Sequence, residues 1–222
     1  MDGWKKAWSL VGNVASEVGW VARVKAVEFW AGERAAREVA VAKLLRDHAH
    51  SFRTPEWTER LPGYSQFLED VRSLSEQFGI RPPEVKVMAG YGSLTRSGMA
   101  VLTDRLLLAN EEALFVYSPD QLKAITAHEL SHIVNGDLDR IPSLFPTTRS
   151  QNHKREFAAD AKAVSVTNDS ESLASVFAMS QNEASHSHPS SRVRIQKLSE
   201  VRPKAHVDRL KSGTVDPKRG RE

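Results

Sequence analysis

The clearest pattern along the chain lies between Ser118 and Gly136, SPDQLKAITAHELSHIVNG, where Leu122, Ile125, Thr126, Leu130, Ile133 and Val134 recur near helical spacing. Ser118 suits an N-cap, Pro119 the first helical position, and Gly136 the residue just past the end. One helix is therefore expected here. A second periodic run, Tyr64 to Phe78, places Phe67, Leu68, Val71, Leu74 and Phe78 on one stripe and stops at Gly79. Short valine-rich or apolar runs at Glu84–Met88 and Met99–Thr103 predict strands, separated by a glycine-containing loop, and Arg105–Ala109 continues the apolar character. Asp137 to His153, with Pro142 and Pro146, reads as a loop, and Arg155 to Thr167 as a further helix. Val193, Ile195 and Leu198 begin another ordered segment after a polar stretch containing Pro189. The pattern predicts an α+β fold, mainly helical, in which a small sheet precedes a central helix.

The first 52 residues contain no proline and read as helix bent near Gly12, Gly19 and Gly32. Trp4, Trp8, Val11, Val14, Ala15, Val18 and Ala22 share a face, and four of the five tryptophans fall in the first thirty residues. Such a helix either packs on the rest of the protein or meets a membrane interface or partner. The expected divisions are an amphipathic segment over 1–52, a catalytic domain over 53–200 and a basic, disordered tail over 201–222.

Composition narrows the chemistry. At 222 residues the chain can bury a sizeable core. It has no cysteine, which leaves histidine and carboxylates as metal ligands. The net charge of +3 is mild and local, since residues 192–222 hold ten Lys/Arg against four Asp/Glu. That tail is almost free of aromatic residues, so the nucleic-acid signal is weak. No run approaches the roughly 18 apolar residues of a membrane span, and Glu17 interrupts the only signal-like stretch. The expected location is cytoplasmic, with the Trp-rich segment suited to a membrane periphery or a protein contact. Nothing in the pattern assigns an oligomeric state.

The chemistry sits in the central helix. His128 and His132 lie four apart and share a face, so their imidazoles can hold one metal ion while Glu129 projects beside them as a general base. Two histidines leave a tetrahedral catalytic zinc one protein ligand short. Glu156, on the helix predicted at Arg155–Thr167, is the candidate, and Asp160 one turn on can accept the spare N–H of a ligating histidine. Met99, Ala100, Val101, Leu102 and Thr103 are the candidate edge strand for pairing with an extended peptide substrate.

Together these residues resemble the gluzincin peptidases of the HtpX and CAAX-prenyl-protease type, including their small soluble relatives, the minigluzincins. Ala127-His128-Glu129-Leu130-Ser131-His132 with Asn135-Gly136-Asp137 fits the first motif, with Ser131 where glycine is commoner. Glu156-Phe157-Ala158-Ala159-Asp160 fits the second, and His188-Pro189 with Arg194-Ile195 and Leu198 fits the third. The similarity spans roughly Tyr64 to Leu198. It implies one zinc per chain held by His128, His132 and Glu156, catalysis by Glu129, oxyanion stabilisation by His188 (with His186 as a competitor), and supporting roles for Asp160 and Arg194. It also implies a polypeptide substrate and endopeptidase activity. Two departures stand out: the spanning helices of the membrane relatives are missing, and so is their Asn-Ala pair before Met99. Two other classes fit parts of the sequence: a regulatory metallopeptidase that inactivates a repressor, and a non-catalytic membrane- or partner-binding protein with a structural metal.

Overall fold

A computed structural model describes Val24, Lys25, Val27 and residues 32–89, 98–139, 148–180 and 182–201. Val24, Lys25 and Val27 are helical, and the first helix with described bounds, α1 (Glu33–Asp47), follows Gly32, whose φ of 87° breaks the chain where the sequence predicted a bend. The whole Trp-rich face, Trp4 to Ala22, and the tail beyond Val201 lie outside the described residues. A short helix α2 (Pro55–Thr58) leads to α3 (Tyr64–Phe78), which ends on Gly79 in the left-handed conformation. Strands β1 (Glu84–Met88), β2 (Met99–Thr103) and β3 (Leu106–Asn110) follow, then α4 (Glu111–Val116) and the central helix α5 (Pro119–Val134). The last described elements are α6 (Arg149–Thr167), α7 (Ser170–Ser180) and α8 (Ser191–Glu200).

The architecture is α+β and mainly helical, with one three-stranded sheet in the order β1–β3–β2. β3 runs parallel to β1 and antiparallel to β2. Every residue of β3 is buried, as its unbroken apolar run Leu-Leu-Leu-Ala requires of a strand covered on both faces. The inner face (Val87, Met99, Val101, Leu107, Ala109) joins the main core with α3 and α5. The outer face (Met88, Leu106, Leu108) is covered by Val41, Leu44 and Leu45 of α1 with Phe52 and Leu102. Beyond β1, residues 51–53 bond to its free edge, through Arg53 N–H to Val87 and Ala89 N–H to Ser51. Among the described residues no strand covers the other edge, β2.

Two features depart from the sequence pattern. The stretch expected as loop up to His153 is helical from Arg149, because Thr148 and Gln151 exchange the two bonds of a capping box. α4 and α7 had no counterpart among the expected elements. α7 supplies Leu173, Val176 and Phe177 to the main core. No helix among the described residues is long and apolar enough to cross a membrane.

Candidate metal centre

α5 begins with a complete capping box: the Ser118 hydroxyl accepts from Gln121 N–H, and the Gln121 side chain accepts from Ser118 N–H. The helix is buried from Ala124 to Ser131 between β2, α3, α6 and α7. Its register therefore cannot drift, and His128, Glu129 and His132 are delivered to fixed places under the β2 edge.

His128 Nε2 and His132 Nε2 stand 3.2 Å apart, with the two rings edge to face. Glu156 on α6 reaches both: its Oε2 lies 3.6 Å from His128 Nε2 and its Oε1 3.7 Å from His132 Nε2. Two nitrogen ligands about 2.0–2.1 Å from a tetrahedral metal stand about 3.3 Å apart, so the triangle is of the right size. Among the described residues, these three form the group of histidine and carboxylate side chains whose ligand atoms converge on one point. Glu156 Oε2 is also buried without a hydrogen-bond partner among the described residues. The Arg194 guanidinium 3.3 Å away balances its charge without hydrogen-bond geometry, which leaves Oε2 a lone pair for a metal ion. The donor set fits a metal ion.

Each ring is held from behind. Asp160 Oδ1 accepts from His128 Nδ1 at 2.9 Å, which turns Nε2 toward the shared point. His132 Nδ1 faces Asp137 Oδ2 at 2.9 Å. Arg194 from α8 grips Asp160 with a fork, Nε to Oδ2 at 2.9 Å and Nη2 to Oδ1 at 2.5 Å. Its Nη1 lies 3.3 Å from Glu156 Oε2, and its guanidinium rests 3.6 Å above the Phe177 ring.

Burial and then the neighbouring Arg194 charge push the His128 pKa below the ordinary imidazole value. Burial acts the same way on His132, but its bond to Asp137 and the charges of Glu129 and Glu156 outweigh it, leaving the pKa raised. Burial raises the pKa of Glu129, partly offset by the two histidines. Burial would also raise Asp160, yet its bonds to His128 and Arg194 overcome this and hold it below the usual carboxylate range.

Glu129 points at the sheet edge, where Val101 N–H donates to its Oε2 at 3.1 Å. The N–H of Val101 therefore faces outward from β2, away from β3. His188 lies on the opposite rim, half exposed, with Nε2 3.6 Å from Glu156 Oε1 and Nδ1 2.7 Å from Ser187 Oγ. Burial pushes its pKa down, against the pull of Glu156. The loop carrying it is tied to α6 by Asn152 Nδ2 to the His186 carbonyl and His153 Nε2 to the Ser185 carbonyl.

Part of this chain is similar to the protease HtpX. Over 71 residues it is 35% identical to the protease HtpX of Ectopseudomonas mendocina, covering 32% of this chain and 24% of that protein. Over 74 residues it is 35% identical to the protease HtpX of Hahella chejuensis, covering 33% of this chain and 25% of that protein. The chain thus spans about a quarter of the length of these curated relatives. No family model matches the chain, and no solved structure does.

The cavity over the metal triangle is about 600 Å³. Met99, Ala100 and Val101 line it, whereas Leu102 and Thr103 do not. His186 and His188 both reach its wall, and Ile125, Val176 and Phe177 give it an apolar floor. Asp137 and Arg155 also line the cavity: the first motif included Asp137 without giving it a role, and nothing in the sequence pattern pointed to Arg155. Asp137 stands five residues after His132, a spacing with no helical meaning. Only the helix end at Asn135 and the turn at Gly136 (φ 69°) bring it back to the ring.

Proposed function

We propose that the protein is a zinc-dependent endopeptidase, a small gluzincin-like enzyme acting on polypeptides at a cytoplasmic location. The observation that supports this most is the triangle of His128, His132 and Glu156, with the Glu129 carboxylate between it and a strand edge that no strand covers among the described residues. Similarity to the protease HtpX over a third of the chain points the same way.

When bound, zinc would acidify a water and polarise a peptide carbonyl. Everything else falls to the chain. β2, whose Ala100 and Val101 line the cavity, aligns an extended peptide by backbone bonds, with the Val101 N–H passing from Glu129 to the substrate. Glu129 takes the proton of the attacking water and later delivers it to the leaving amine. Burial raises its pKa, the direction that strengthens a carboxylate as a base. His188 Nε2, oriented by Ser187, donates to the oxygen on which negative charge develops. The apolar floor accepts an aliphatic or aromatic side chain of the substrate. A structural metal would require a fourth protein ligand, whereas the described residues bring three together.

Glu129→Gln tests the reading. The amide keeps the size and the Val101 contact but cannot take a proton. Zinc content, measured by elemental analysis, is expected to stay at one per chain while casein hydrolysis falls by several orders of magnitude. Turnover near wild type in this variant would reject the peptidase assignment.

A further inference from the structure

We infer that Asp137, braced by Arg155, is a positioning residue for the metal ligand His132, a role separate from the Asp160–His128 pair. The inference rests on the metal centre described above. It does not depend on the proposed peptide hydrolysis.

A ligating imidazole must be neutral and present one particular nitrogen, and its other nitrogen then carries a proton that needs an acceptor. For His132 the acceptor is Asp137 Oδ2 at 2.9 Å, with both side chains largely shielded from water. Ring orientation is thereby set at both histidines, but by different means. Asp160 lies on a regular helix and is gripped by Arg194. Asp137 begins a 3-10 turn, Asp137–Asp139, immediately after Gly136 reverses the chain, so its placement needs support from elsewhere. That support is Arg155, whose Nε stands 3.4 Å from Asp137 Oδ1. Arg155 neighbours Glu156 on α6, so one helix carries both the third metal ligand and the cation that anchors the carboxylate behind the second. α1 also runs beside the Asp137–Asp139 turn and limits its freedom from the other side. A shift of α6 relative to α5 would therefore disturb Glu156 and His132 together.

Zinc affinity measured by chelator competition, with cobalt(II) absorption spectra, separates this role from simple support of the fold. The proteins compared are the full wild-type chain, Asp137→Ala, Asp137→Asn and Arg155→Ala. Loss of an outer partner of this kind weakens metal binding roughly 10–100-fold. Asp137→Ala is expected to show that loss and an altered cobalt spectrum. Asp137→Asn should recover part of the affinity, because its amide oxygen still accepts from Nδ1. Arg155→Ala should fall between wild type and Asp137→Ala, and the metal-free proteins should unfold at similar temperatures. Wild-type affinity and spectrum in a folded Asp137→Ala would overturn the inference and leave the peptidase reading intact. If Asp137→Ala does not fold, equal affinities for wild type, Asp137→Asn and Arg155→Ala would overturn it. Tight zinc binding in an inactive wild type would reject the peptidase reading and leave this one standing. A wild type that takes up no zinc would reject both.

Discussion

Arg194 makes more contacts beneath the cavity than any sequence motif could announce. It forks onto Asp160, approaches Glu156 and stacks on Phe177, all out of water. Removing one partner of such a buried pair costs about 3–5 kcal/mol, because the other charge is left uncompensated. Arg194→Met should lose that much stability in urea unfolding of the metal-free protein. The loss depends on pH. Asp160 has a lowered folded-state pKa, so its contribution is present above the ordinary carboxylate value and disappears as pH falls through the lowered one. The gap between wild type and Arg194→Met should therefore be largest near neutral pH and shrink on acidification. A gap constant with pH would mean that packing on Phe177, not the ion pair, holds the residue. The histidine spacing and the Glu156–Asp160 spacing were legible because four residues on a helix fix a face. Arg194 was placed only by resemblance, because 34 residues separate it from Asp160 and no local period connects them.

At the scale of elements, the legible parts were those with long apolar stripes and recognisable ends. α3, β1 and β2 have the expected bounds, and α5 differs only at its final residues. α4 and α7 were not, since six and eleven residues give few helical repeats to count. One junction depends on a single glycine. Gly98, just before β2, has φ 77°, accepts a bond from Asn110 N–H, and would place an added Cβ 2.9 Å from Ala113 Cβ. Gly79 shares the positive φ but has open space around it. Alanine at 79 should cost about 1 kcal/mol for the left-handed backbone alone. At 98 the steric clash adds to this, for a total of roughly 2–3 kcal/mol. Denaturant unfolding of the two variants reads the difference directly. Equal losses would show that α4 yields without resistance, and that β2 does not depend on the close approach.

For the molecule as a whole, the question is whether the N-terminal segment supports the face that carries the cavity or covers it. Sequence alone left both open, because an amphipathic helix shows that it has an apolar face and not what that face meets. In the structure α1 lies on the outer face of the sheet, with Val41, Leu44 and Leu45 against Met88, Leu106 and Leu108. Arg34 pairs with Asp104, and Arg37 Nη1 donates to the Leu102 carbonyl at 3.1 Å, which ties the helix to the far end of β2. No α1 residue is among the described residues that line the cavity. The helix therefore acts on the site through the sheet, by keeping β2 in register above Glu129. Val41→Asp with Leu44→Asp in the full chain would put charges into that interface, which costs at least about 2 kcal/mol in lost burial and desolvation. In a protein of this size the melting temperature should fall by roughly 5 °C or more. Hydrolysis should fall or stay level below the new transition, since the described part of α1 covers none of the cavity. A pair of substitutions that instead raised hydrolysis in the still-folded protein would show that undocking α1 opens the site, and would make the segment an inhibitory cover.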